Sequence, residues 1–263
     1  MSLDTFVLPT EVKGPQRTNP KKLFLFSATK VGKTTAISML QNNLHIDLED
    51  GSGYVNGLII NVIEEHRRTG IPILTIIGNI VRKIQEANKA KGAPVYDYIT
   101  IDTSTALESV ARIYATQLYK ASPMGKNFTG KDVVTELPQG NGYEWLRLAF
   151  DTIYKQFEGL AGKCVIILGH VKLASINKDG KDLQARDIAL TGKLKGMVCA
   201  DVDAIGYLFR SKEDPTKTIV SFKTDETDLA TGARPDHLRQ QEFVLLEQNP
   251  DKTFTSHWDK IFI

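Results

Sequence analysis

Three short, largely apolar runs govern what this chain can fold into: Leu23-Phe24-Leu25-Phe26, Tyr98-Ile99-Thr100-Ile101 and Cys164-Val165-Ile166-Ile167-Leu168. A strand with one wet face alternates apolar and polar residues. A run that does not alternate is dry on both faces, as in a parallel sheet covered by helices. Each run also stops at residues able to do chemistry: Ser27 and then Gly32-Lys33-Thr34, Asp102, and Gly169-His170. In open parallel sheets ligands sit at the carboxyl ends of the strands.

The intervening patterns supply the crossovers. Helices are expected from about Lys33 to Asn42, twice between Val55 and Lys91 (broken at Gly70 and Pro72), from Thr105 to Lys120 and from Tyr143 to Leu160. Further strands are expected at His45–Leu48, Val202–Phe209, Thr218–Phe222 and Phe243–Leu246, the last ones added antiparallel. Ser122–Asn141 and the polar stretch Asn177–Lys195 read as surface loops. Strands alternating with helices imply right-handed βαβ units, hence an α/β fold with a mostly parallel sheet.

Composition narrows the class. The 263 residues are 41% hydrophobic and 24% charged, which excludes disordered, collagen-like and coiled-coil chains. Thirty-three basic against 31 acidic residues leave a net charge of +2, so a polyanionic partner would have to be met by a local patch. Cys164 and Cys199 are too few for a disulfide framework or a four-thiolate zinc site. The run Phe6-Val7-Leu8, broken by Pro9, does not read as a secretory leader, and no run approaches the ~18 residues of a membrane span. A soluble, cytoplasmic protein with no membrane partner is the expectation.

The segment Ser27-Ala28-Thr29-Lys30-Val31-Gly32-Lys33-Thr34-Thr35 follows the first strand and opens a helix, the context that the phosphate-loop pattern requires. It matches at Gly32, Lys33 and Thr34 and carries Ser27 where the pattern has its first glycine. Residues Thr29 to Thr35 are the expected nucleotide-binding set: backbone N–H groups cradle phosphates, Lys33 reaches their oxygens and Thr34 ligates Mg²⁺. Asp102 suits the second-motif aspartate that holds Mg²⁺, or else caps the next helix. Glu49 follows a strand lying in sequence between the two motifs and is a candidate to polarise water for attack on a γ-phosphate, or else an exposed carboxylate of an acidic turn. No guanine-reading Asn-Lys-x-Asp is present, which favours ATP. His170 is a candidate γ-phosphate sensor, or an ordinary loop histidine.

Between His170 and Gly196 lie Lys172, Lys178, Lys181, Arg186, Lys193 and Lys195 against Asp179, Asp182 and Asp187, a local excess of three positive charges. Expected to be a mobile loop, this stretch is a candidate contact for a nucleic-acid backbone. Lys126, Phe128 and Lys131 form a second candidate, Phe128 offering a stacking face. Lys223 and Arg234 are candidates for a basic residue that completes a neighbouring subunit's site.

The order of these motifs, with strands ending Asp-Leu-Glu-Asp-Gly, Ile-Asp-Thr-Ser and Gly-His-Val-Lys and then Ala189-Leu190-Thr191-Gly192-Lys193-Leu194-Lys195-Gly196, resembles the RecA-like phage ATPases. The likeness is to the RecA-like branch of the Sak group of single-strand annealing proteins, and it runs from about Lys21 to Leu246. It implies a RecA-like P-loop NTPase core with helices on both sheet faces, which binds ATP and Mg²⁺, holds single-stranded DNA, promotes annealing and assembles as a homo-oligomer. A phage single-strand binding protein is the implied partner. Carried over by position, Lys33, Glu49, Asp102 and His170 are the catalytic set, with Thr34 and Asp102 at the metal. The expected organisation is an arm (1–20), an ATPase domain (21–247) and a tail (248–263). A nucleotide-dependent adaptor with slow or no hydrolysis, and a helicase or packaging motor on the same core, stay open as alternatives.

Overall fold

The structure, a computed structural model, describes residues 8–131, 133, 136–137, 141–178, 181–224 and 230–263, with the side chains of residues 176–183 outside that set. Phe6 and Val7 of the expected arm therefore lie outside the described residues. In chain order the elements are β1 (Lys22–Ser27), α1 (Lys33–Ser38), β2 (Asn43–Asp47), β3 (Leu58–Asn61), α2 (Val62–Thr69), α3 (Ile73–Lys91), β4 (Tyr98–Asp102), α4 (Ser104–Ala121) and α5 (Gly142–Lys155). They continue with β5 (Cys164–Lys178), β6 (Lys181–Ile188), α6 (Gly192–Asp201), β7 (Ala204–Arg210), β8 (Lys217–Ser221), β9 (Gly232–Ala233), β10 (Glu242–Gln248) and β11 (Phe254–Ser256).

Across the sheet the strands run β11-β10-β8-β7-β1-β5-β4-β2-β3. From β7 to β3 all pairs are parallel, and β8, β10 and β11 extend the sheet antiparallel. The strand carrying His170 is thus inserted between the phosphate-loop strand and the Asp102 strand. Both faces are dry, as the unbroken runs predict. Along β1, Phe24 and Phe26 enter one core with α3, α4 and α5, while Leu23 and Leu25 enter a second with α1. This is the expected α/β architecture, a mostly parallel sheet with helices on both faces and antiparallel strands at the C-terminal end.

Four expectations are corrected. The reading of Val55–Lys91 as helices alone missed β3, an edge strand whose Leu58 is exposed and whose remaining side chains are half-buried, so its pattern is not that of a buried strand. The stretch after His170 is not a loop: β5 continues to Lys178, pairs antiparallel with β6 from Val171↔Ile188 to Lys178↔Lys181, and is followed by α6. Residues 248–263 are no separate tail, because Trp258 and Ile261 are buried in the second core and β11 pairs with β10. The Ser122–Asn141 segment is not wholly superficial, since Leu137 is buried.

Candidate functional site

The parallel register lines up the carboxyl ends of four strands: Ser27 on β1 with His170 on β5, and Asp47 on β2 with Asp102 on β4. The chain leaves β1 through Ala28 and Thr29, both exposed, and turns with positive φ at Lys30 (62°) and Gly32 (107°). A glycine meets the second of these without strain. The loop is backed from outside the motif, where Thr218 on β8 donates its hydroxyl to Val31 O at 3.1 Å. Thr35, half-buried in α1, accepts the Ser38 hydroxyl on its carbonyl.

Lys33 is buried, and its Nζ donates to Ser27 Oγ at 2.9 Å and to Ala28 O at 3.4 Å. Burial lowers its pKa, a shift partly opposed by the fields of Asp102 and Glu49. Among the described residues no carboxylate lies within ion-pair distance of this ammonium. A buried cation resting on neutral acceptors fits an anionic ligand such as phosphate. Ser27, in the place of the first glycine, is the residue that holds it.

Thr34 donates its hydroxyl to Asp102 Oδ2 at 3.4 Å, bringing the two expected Mg²⁺ ligands together. Asp102 does not cap α4: Thr103 does, accepting the Ala106 amide, which leaves the Asp102 carboxylate facing Thr34. The described residues contain no group of three His, Cys, Asp or Glu side chains fit to hold a metal ion. A cation here would draw its remaining ligands from nucleotide and water, as Mg²⁺ does.

Glu49 sits across the mouth. Thr103 donates to its Oε1, and His170 Nε2 lies 3.1 Å from both carboxylate oxygens. Burial pushes the Glu49 carboxyl up, but the hydrogen bonds from His170 and Thr103, with the charges of His170 and Lys33, outweigh it and hold the group below its ordinary value. Glu49 is therefore ionised at neutral pH, as a water-polarising base must be.

Two residues of this site escaped sequence reasoning. Asp47 is fully buried and accepts the Glu49 and Ser52 amides at 2.8 Å each, shaping the turn that delivers Glu49. His45 is 2% exposed and its Nε2 lies 3.1 Å from Asp102 Oδ2. A signal was available, because His45 and Asp47 alternate with Leu44, Ile46 and Leu48, putting both on the face that β2 turns toward α1.

Some of the basic candidates are exposed and others are engaged within the fold. Lys126, Lys131 and Lys193 are exposed, and Lys172, also exposed, donates to Leu190 O at 3.0 Å. Phe128 packs edge-on against Tyr119, with Lys120 Nζ 6.0 Å from its ring centre. Arg186 lies 4.7 Å over the Tyr207 ring, and Lys195 pairs with buried Asp187 at 2.9 Å. The side chains of Lys178 and Lys181 fall outside the described residues, although their backbones pair at the end of the hairpin. Lys223 lies 3.6 Å from Glu242, and Arg234 is bound to Asp203 and to Ala200 O. Asp203 in turn accepts the Lys21 and Lys22 amides at the amino end of β1, so within one chain Arg234 is on the rim opposite the phosphate loop.

The AAA domain family matches residues 19–238. A comparison with curated proteins finds no match. Among solved structures the chain is similar to the RadB recombinase (11% identity over 91% of this chain and 92% of that one, TM-score 0.46). It is also similar to the flagellar accessory protein FlaH from Methanocaldococcus jannaschii (11% identity over 90% and 89%, TM-score 0.34). No helix among the described residues is long and apolar enough to cross a membrane.

Proposed function

This chain belongs to the AAA domain family, and from that premise we propose that it is an ATP-hydrolysing RecA-like protein that binds single-stranded DNA and promotes annealing in phage recombination. In this reading Lys33 and the loop from Thr29 to Thr35 hold the phosphates, while Thr34 and Asp102 hold Mg²⁺. Mg²⁺ would supply charge stabilisation at the β- and γ-phosphate oxygens. Glu49 polarises the attacking water, and His170 holds Glu49 and responds to the state of the γ-phosphate. The protein works as a homo-oligomer in the host cytoplasm, beside a single-strand binding protein, with Lys223 or Arg234 offered to a neighbour.

One observation carries the reading. His170, which grips Glu49 at 3.1 Å, and Lys172, the first exposed base beyond it, stand two residues apart on β5, which continues into the paired hairpin. A change at the γ-phosphate thus reaches a basic element with no intervening hinge. The test is the ATPase rate with and without single-stranded DNA. Stimulation, abolished in Lys33→Ala, supports the proposal. Absence of DNA binding at ~50 mM salt with ATP and Mg²⁺ present refutes the recombination reading.

The engagement of Glu49 by both His170 and Thr103 favours one second reading, a nucleotide-dependent adaptor that turns over slowly. A basal rate that Glu49→Gln leaves unchanged would support the adaptor and remove Glu49 from catalysis.

A further inference from the structure

We propose that His45 is a positioning residue for Asp102: its Nε2–H fixes the carboxylate in the orientation that meets Thr34. The inference rests on the reading of this site as one for nucleotide and Mg²⁺, and it adds a residue that the motifs do not specify. His45 lies on β2 opposite Thr100 of β4, one strand position from the Ile46↔Ile101 pair and two from Asp47↔Asp102. Both members of the contact are dry, with His45 2% and Asp102 4% exposed, so water does not compete for the 3.1 Å bond.

The chemistry selects one tautomer. An ionised carboxylate only accepts, so the contact is a hydrogen bond only when Nε2 carries the proton. Nδ1 is buried without a partner among the described residues, so no second bond there pulls the ring out of line. The flanking pair is also locked: Thr100 donates to Asn43 Oδ1 at 2.9 Å, tying β2 to β4 on the same face as His45. Without the imidazole, Asp102 Oδ2 would keep, among the side chains of the described residues, only the 3.4 Å contact from Thr34. A partner that orients a ligating carboxylate changes metal affinity, whereas one that merely fills space does not.

The surroundings permit a clean test. A cavity of about 250 Å³, lined by Ile37, Asn43, His45, Leu58 and Ile59 among others, reaches the ring from the α1 side. It offers an approach for free imidazole. Binding of a fluorescent ATP analogue is titrated with Mg²⁺, and separately measured in EDTA, for wild type, His45→Phe, His45→Gln and His45→Gly with and without imidazole. His45→Phe fills the slot without a donor and should raise the Mg²⁺ concentration for half-maximal tight binding roughly tenfold, with the EDTA affinity within about twofold of wild type. His45→Gln, which returns an N–H, and imidazole added to His45→Gly should both bring the midpoint back toward wild type. An unchanged midpoint in His45→Phe, or a His45→Gln as impaired as His45→Phe, overturns the inference while leaving the nucleotide reading intact. A wild-type protein with no Mg²⁺ dependence overturns both.

Discussion

Replacing Trp258 tests whether the last sixteen residues hold the nucleotide loop in place. The indole is 6% exposed, stacks 6.0 Å from Phe262, and donates Nε1–H to Ala36 O at 2.8 Å, on the short helix that begins with Lys33 and Thr34. Truncation of a buried Trp to Ala costs about 3–5 kcal/mol, the transfer loss plus the cavity left behind. The lost hydrogen bond adds little, because Ala36 O also accepts the Met39 amide at 3.2 Å and is not orphaned. Trp258→Phe keeps a ring and loses that bond, so about 1–2 kcal/mol is expected. For a chain of this size the alanine variant should melt roughly 10 °C lower. Urea unfolding followed by circular dichroism gives ΔΔG, and fluorescence from the remaining Trp145 reports whether the transition stays single. A Trp258→Ala protein within ~1 kcal/mol of wild type at an unchanged m-value would refute the assignment of this segment to the core.

Other outcomes follow from single contacts. Glu49→Gln should cut ATP turnover by about a hundredfold with nucleotide affinity retained, read by steady-state kinetics and equilibrium binding. A Cβ at Gly169 would lie 2.7 Å from the fully buried Phe24 ring, so Gly169→Ala should destabilise by about 1–3 kcal/mol in a denaturant titration. Removing Lys193, which is exposed, should lower the salt slope of single-strand binding by about 0.7 with stability kept. Lys195→Ala should instead lower stability, because it strips the partner from buried Asp187. Burial pushes the Cys199 thiol up to about 11 and raises that of Cys164 well above its usual value. Raising pH toward 11 populates the Cys199 thiolate, so alkylation of the native protein should mark Cys199 before Cys164, at a rate still climbing past pH ~9, as peptide mapping would show.

What could be read from the residues, and what could not, follows from where each strand sits. β1, β4 and the first part of β5 were legible because central parallel strands must be apolar on both faces. β3 was not, since Leu58-Ile59-Ile60 lies at the edge beside a helix and its apolar residues merge with the helical pattern that follows. The hairpin's residues are mostly polar, which points to a loop, yet Asp179-Gly180 is a two-residue hairpin signal. Within the site, residues of the linear motif were found, since loop chemistry is local in sequence. His45 was missed because its role depends on Asp102, 57 residues away, which only strand pairing brings alongside.

The length of β5 has a mechanical consequence. From Val171 to Lys178 it is paired residue by residue with β6, so this part behaves as a two-stranded ribbon. Eight residues at ~3.3 Å each carry its tip roughly 26 Å beyond His170. The base of the ribbon is held in the central sheet, where His170 pairs with Ser27. A tilt of about 5° at that point moves the far end by about 2 Å over such a lever arm. A displacement too small to register at Glu49 is therefore magnified to the scale of a broken hydrogen bond at the distal end.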